Sequence, residues 1–152
     1  MLANHYALLL DSHSLLRWLV LLAGVAVLVG SLIGIAGKKP FKPLGRTLGL
    51  IYVSLLDTQF LIGVLLCIAS PIVHSVWANP AVSMKIHNLR FFAVEHPTGM
   101  ILALIIAHIG AVLSKKAKED QAAYTTALLW YAISFVVILL SIPWWRPFIR
   151  LY

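Results

Sequence analysis

Residues 13–37 read HSLLRWLVLLAGVAVLVGSLIGIAG, twenty-five positions with one charge, Arg17, near the start. At 1.5 Å per residue a helix of this length runs about 37 Å, more than the roughly 30 Å of hydrocarbon in a bilayer. The stretch is too long for the apolar region of a secretion signal, and no A-x-A-like site follows it. Lys38-Lys39-Pro40 stop it instead, so it reads as a retained membrane helix. Asp11 or Ser12 can cap its first turn, and Gly30 and Gly34 form a small-xxx-small pair suited to close helix packing.

Working outward, the same reading applies three more times in the 152 residues. Spans are expected at about 12–36, 48–69, 91–114 and 122–142. Hydrophobic residues make up 61% of the chain and charged residues 11%, against roughly 45–50% and 25% in soluble domains. The expectation is an all-α integral membrane protein, a single four-helix up-down bundle filling 1–152, with no room for a soluble catalytic domain. The formal net charge of +7 does not point to nucleic acid, because the basic residues sit at membrane boundaries and in short loops, where they orient the chain and meet lipid. Cys67 is the only cysteine, which excludes an internal disulfide and a cysteine-based metal cage.

The loop after the first span carries Lys38, Lys39, Lys42 and Arg46 with Pro40 and Pro43, and the third loop carries Lys115, Lys116 and Lys118. These seven basic residues stand against five at the other end: Arg17, Lys85, Arg90, Arg146 and Arg150. The asymmetry puts the first set in the cytoplasm and both termini outside. The longest connection, 71–90, is too polar to span, but Ile72, Val73, Val76 and Trp77 can lie along the interface. Pro97 either marks the true start of the third helix or kinks one that began earlier. Pro143-Trp144-Trp145-Arg146-Pro147 reads as an interface anchor.

Ionisable residues inside a membrane are functional candidates by default. His13 and His96 open the first and third spans, which run in the same direction, so both lie toward the same membrane face. At 1.5 Å per residue they stand roughly 16 Å and 10 Å from their span centres. Two facing histidines in an apolar bundle are what a b-type haem needs as axial ligands, and they are the candidate metal ligands here. Arg17, four residues after His13 on the same face, and Arg90 can hold the haem propionates. The bland reading of each histidine is a helix-end residue bonded to backbone. Glu95 reads first as the partner of Arg17 or Arg90, and otherwise as a group exchanging protons with a quinone. Asp57 and His108 match in depth, so they read as an inter-helix hydrogen bond if both face inward, or as a relay or second ligand pair. His96 and His108, twelve residues apart, point some 120° apart and share no channel. His5, His74 and His87 have no metal-ligand spacing, and no hydrolase, glycosidase or phosphate-loop motif occurs.

The segments HSLLRWLVLL, QFLIGVLLCIASPIV, LRFFAVEHPTGM and SIPW resemble a group of small bacterial four-helix membrane proteins labelled cytochrome b-like. The firmest blocks centre on His13, Arg17, Arg90, Glu95, His96 and Pro97, and the resemblance implies that these positions belong to one site in a bacterial inner membrane protein. Asp57-Thr58-Gln59 stand where span two of such proteins is expected to carry a histidine, so ligation through span two is not implied. The leading expectation is an electron carrier rather than an enzyme. It binds haem b, exchanges electrons with quinol, and serves other membrane subunits of a respiratory or photosynthetic complex. The alternative is a cofactor-free structural accessory subunit of a larger membrane complex. A small transporter or channel is weaker, because the polar residues do not line a full path.

Overall fold

A computed structural model describes residues 2–146; Pro147 and Arg150, counted above with the anchor and the outer charges, lie outside the described residues. Four helices are long and apolar enough to cross a bilayer, which makes the chain a multi-pass membrane protein in contact with lipid. In chain order the elements are α1 (Leu2–Ala36), α2 (Leu44–Ala69), the short α3 (Pro71–Ala78), α4 (Pro80–Ser83) and α5 (His87–Arg90), a π turn (Phe91–Glu95), α6 (His96–Lys116) and α7 (Asp120–Ser141). No strand occurs among the described residues. α1 packs against α2 and α7, while α6 packs against α7 and, more sparsely, against α2. The bundle therefore has a loose seam between α2 and α6. One end of it carries the α3–α5 connector, the other the basic loops.

Helix limits differ from the hydropathy limits where polar residues continue a helix. α1 starts at Leu2 rather than near 12, so Asp11 and Ser12 lie inside the helix and do not cap it. The segment before them is rich in Ala and Leu, which keep helical hydrogen bonds whether or not lipid surrounds them. α2 starts directly after Pro43, four residues before the apolar run at 48, because Gly45-Arg46-Thr47 are polar but helical. α1 ends in a 6→1 bond from Lys39 N–H to the Gly34 carbonyl (3.0 Å) and a 5→2 bond from Lys38 N–H to the Ile35 carbonyl (3.2 Å). Lys38, with φ 47°, takes the left-handed position that glycine usually fills. The Phe41 N–H donates to Asp120 Oδ1 at 2.8 Å, tying the first basic loop to the start of α7. In the connector, Ser70 caps α3, Val76 is buried and Trp77 is exposed, so this segment is a short helix lying against the bundle end.

The core is aromatic on one side and small on the other. Tyr52, Tyr124 and Tyr131 are buried, and α6 turns Ala103, Ala107, Gly110 and Ser114, spaced for one helix face, into the bundle. Ser134 Oγ donates to the Ala103 carbonyl (2.9 Å) and receives the Tyr52 hydroxyl (3.0 Å), so a buried polar chain joins α2, α7 and α6 with every proton used. Gly30 and Gly34 do form a packing surface, each for a different neighbour. A Cβ on Gly30 would strike Leu48 of α2, and one on Gly34 would strike the Tyr124 ring of α7. Gly24 meets Phe135 in the same way, at 2.5 Å.

Candidate functional site

Pro97 decides the local geometry of the third span. It has no N–H to donate, and its ring would collide with the carbonyl four residues back. The backbone answers with a π turn at Phe91–Glu95, in which His96 N–H reaches back five residues to the Phe91 carbonyl. Such single π turns inside helices recur at functional sites. Here the widened turn immediately precedes His96.

His96 then meets the end of α7. The last carbonyls of a helix have no partner inside it, and Pro143 prevents this helix from continuing. His96 Nδ1 lies 2.7 Å from one of them, the Ser141 carbonyl. A carbonyl only accepts, so Nδ1 carries the proton and Nε2 is left with its lone pair. Gly99, a turn further along α6, leaves the space in which the Ser141 side chain sits. The contact explains why HPTG and SIPW, far apart in the chain, belong to one structure.

His13 enters from α1. Its own carbonyl accepts from Gln59 Nε2 of α2 at 2.8 Å. Gly63, one turn along from Gln59, lets α2 pass beside the ring; a Cβ there would lie 3.2 Å from His13 Cε1. The buried atoms His13 Nδ1 and Gln59 Oε1 have no hydrogen-bond partner among the described residues. The two imidazoles stand with ring centres 6.2 Å apart and planes at 79°.

Both rings line a cavity of about 740 Å³ at the connector end, formed by α1, α2, α3, α6 and the end of α7. Its walls are mainly aliphatic and aromatic, with Leu56, Phe60, Met100 and Ile138 among them, and its polar content is concentrated in a few side chains. This is the usual composition of a small-molecule site. Arg17 and Arg146 also line it. Arg17 lies over the Trp18 ring and within 3.5 Å of Ser14 Oγ, and Arg146 lies over the Phe92 ring at 4.6 Å.

Arg90 is placed otherwise. Its Nε donates to Glu95 Oε1 at 2.6 Å and its Nη1 to the Met84 carbonyl at 3.0 Å, outside the cavity lining. Glu95 is thus the partner of Arg90, and Arg90, expected beside the haem propionates, is turned from the cavity: the π turn carries Glu95 toward Arg90, and His96 takes backbone. The second cation at the cavity is Arg146, read from sequence only as an anchor.

The other histidines are accounted for locally. His74 Nε2 bonds the Ile68 carbonyl at 2.6 Å, and exposed His87 lies against Phe91 and Trp145. His108 Nε2 bonds Asp57 Oδ1 at 2.8 Å, so the depth match between α2 and α6 is a real contact. It does not face inward, however: the side chains are 50% and 42% exposed on the outer flank of the α2–α6 seam. Depth along a helix does not determine which way a residue points around it. No group of three or more His, Cys, Asp or Glu side chains suited to a metal ion occurs among the described residues.

No protein-family model, curated protein or solved structure matches the chain.

Proposed function

We propose that the chain is a membrane electron-transfer protein that binds haem b in the connector-end cavity, with His13 and His96 as axial ligands. The observation that carries the reading is the His pair itself. Two axial nitrogens about 2 Å from one iron, with each ring centre about 1 Å further out, put the ring centres about 6 Å apart. The rings here stand 6.2 Å apart. The donor set fits as well. His96 Nδ1 is spent on the Ser141 carbonyl, the outer bond that metal-bound histidines usually make, which leaves Nε2 for a metal. His13 has its backbone clamped by Gln59, and its ring lines the cavity beside His96.

A haem held there supplies one-electron exchange at its iron. The chain's part is to orient the two imidazoles, to surround them with aliphatic walls that keep water out, and to offer cations to carboxylates at the rim. Arg17 and Arg146 are the cations that line the cavity. The larger assembly suited to such a carrier is a respiratory or photosynthetic complex of a bacterial inner membrane.

A second reading, a quinone site, is favoured by one observation. The same apolar cavity carries a few polar side chains, His13, Gln59 and Arg17 among them, which suits an apolar ring with polar oxygens. Absorption spectroscopy separates the readings. Protein purified after expression with ample haem supply is expected to show the sharp reduced-state bands of low-spin, six-coordinate haem. A colourless protein that takes up no haem on titration defeats the haem reading, leaving the quinone site or a cofactor-free accessory subunit.

The excess of basic residues in the two loops opposite the connector supports an orientation with both termini and the connector outside the cytoplasm. Cysteines introduced at Lys39 and Lys116 are then expected to react with a membrane-impermeant maleimide only after the membrane is opened. Labelling of both from outside reverses the orientation without touching the fold.

A further inference from the structure

Asp57 lies thirteen residues from the start of α2 and twelve from its end, so along the axis it is about 18–20 Å from either. That is the interior of the bilayer. Ionisable residues at such depth almost always face the bundle interior or a water-filled cavity. Asp57 and His108 face neither: they are 42% and 50% exposed and are not among the cavity residues. Their mutual bond uses Oδ1 and Nε2. Asp57 Oδ2 and His108 Nδ1 have no hydrogen bond among the described residues. The pair is half satisfied and turned toward lipid.

We propose that this flank of α2 and α6 is a homodimer interface, in which two copies of the chain meet about a two-fold axis beside the Asp57–His108 pair. The argument is complementarity. Each copy offers one unfilled carboxylate oxygen and one unfilled ring nitrogen, on neighbouring helices at one depth. A two-fold operation lays the oxygen of each copy against the nitrogen of the other, because an isologous interface pairs a patch with itself reversed. One proton shared in each nitrogen–oxygen contact satisfies both atoms, whichever group holds it, and closes a ring of two carboxylates and two imidazoles. A different polypeptide would have to bring its own matching acid and base at this depth; a second copy carries them necessarily. The flank around the pair suits close approach. Exposed Ser54 lies one turn before Asp57, and exposed Leu61 and Ile105 extend the patch on the two helices.

The test uses the full chain, alone, reconstituted in liposomes at low protein density. In a Cys67→Ser background, Leu61→Cys is expected to form a disulfide-linked dimer under mild oxidant at least tenfold faster than Leu129→Cys. Leu129 is an equally exposed position, on α7. Energy transfer between donor- and acceptor-labelled copies reads the equilibrium. Asp57→Leu/His108→Leu is expected to weaken association at least tenfold with helix content unchanged, whereas Asp57→Asn, which keeps a polar complement, stays within threefold. Monomers in the liposomes, equal cross-linking at positions 61 and 129, or a Leu/Leu variant that associates as tightly as the parent each overturn the proposal. In the first case the flank is covered by another polypeptide.

Discussion

His96→Ala and His13→Ala proteins are each expected to lose the six-coordinate haem spectrum while keeping a folded four-helix bundle. Removing one axial nitrogen leaves the iron five-coordinate at best, and the loss is qualitative rather than a shift. The fold survives because neither ring is part of the aromatic core. His96→Ala does strand the Ser141 carbonyl, at a cost of about 1–3 kcal/mol, which is bearable beside the packing of four long helices. Added imidazole distinguishes ligation from bracing. It is expected to enter the space left by the ring and restore the low-spin spectrum, which no structural role for His96 would allow. Arg17→Leu and Arg146→Leu act differently. Each removes one charge-assisted contact and is expected to weaken haem retention about tenfold, with the spectral type unchanged. If either histidine variant retains full six-coordinate absorbance, the axial assignment is wrong.

The second large effect lies far from the cavity. Gly34→Leu is expected to destabilise the bundle by about 3 kcal/mol or more in detergent unfolding, the upper end of overpacking effects. Gly34 lies against the Tyr124 ring so closely that even a Cβ has no room. Tyr124 cannot yield, since it is fully buried and its hydroxyl donates to the Pro40 carbonyl at 3.1 Å. Relief therefore requires α1 and α7 to part, which loosens the basic end of the bundle. Leucine at Leu32, a half-exposed neighbour on the same helix, sets the contrast: Leu32→Ala at that lipid-facing position is expected to change stability by less than about 0.5 kcal/mol.

How much of this was legible in the sequence follows from what each signal measures. Hydropathy measures preference for lipid, and the four spans were plain in it. It does not measure backbone hydrogen bonding, so it missed the ten residues by which α1 extends back to Leu2 and the turn by which α2 extends back to Leu44. Depth along the spans brought His13 to His96 and Asp57 to His108, and both contacts exist. Depth is blind to direction around a helix, and for that reason it gives the Asp57–His108 contact only on the condition that both face inward, whereas the pair meets on the outer flank. Arg90 was assigned to the site by proximity in sequence, but the π turn intervenes and gives it to Glu95. Arg146 came instead, from the other end of the chain, because a long-range contact between α6 and the end of α7 has no local signature.

The π turn at Phe91–Glu95 has one more consequence. It holds one residue more than an α-helical turn needs, so it amounts to a single-residue insertion absorbed without breaking the helix. Deleting one residue there would force the turn back to α-helical pitch and press the Pro97 ring on the carbonyl four residues before it. It would also rotate the entire preceding segment by about 100° around the axis. Arg90, the α5 turn and the connector would swing to another face of the bundle, parting Arg90 from Glu95 and α3 from the cavity it helps to line. Residues 91–95 thus set the bearing of the connector on the bundle, and with it the wall that α3 gives the cavity.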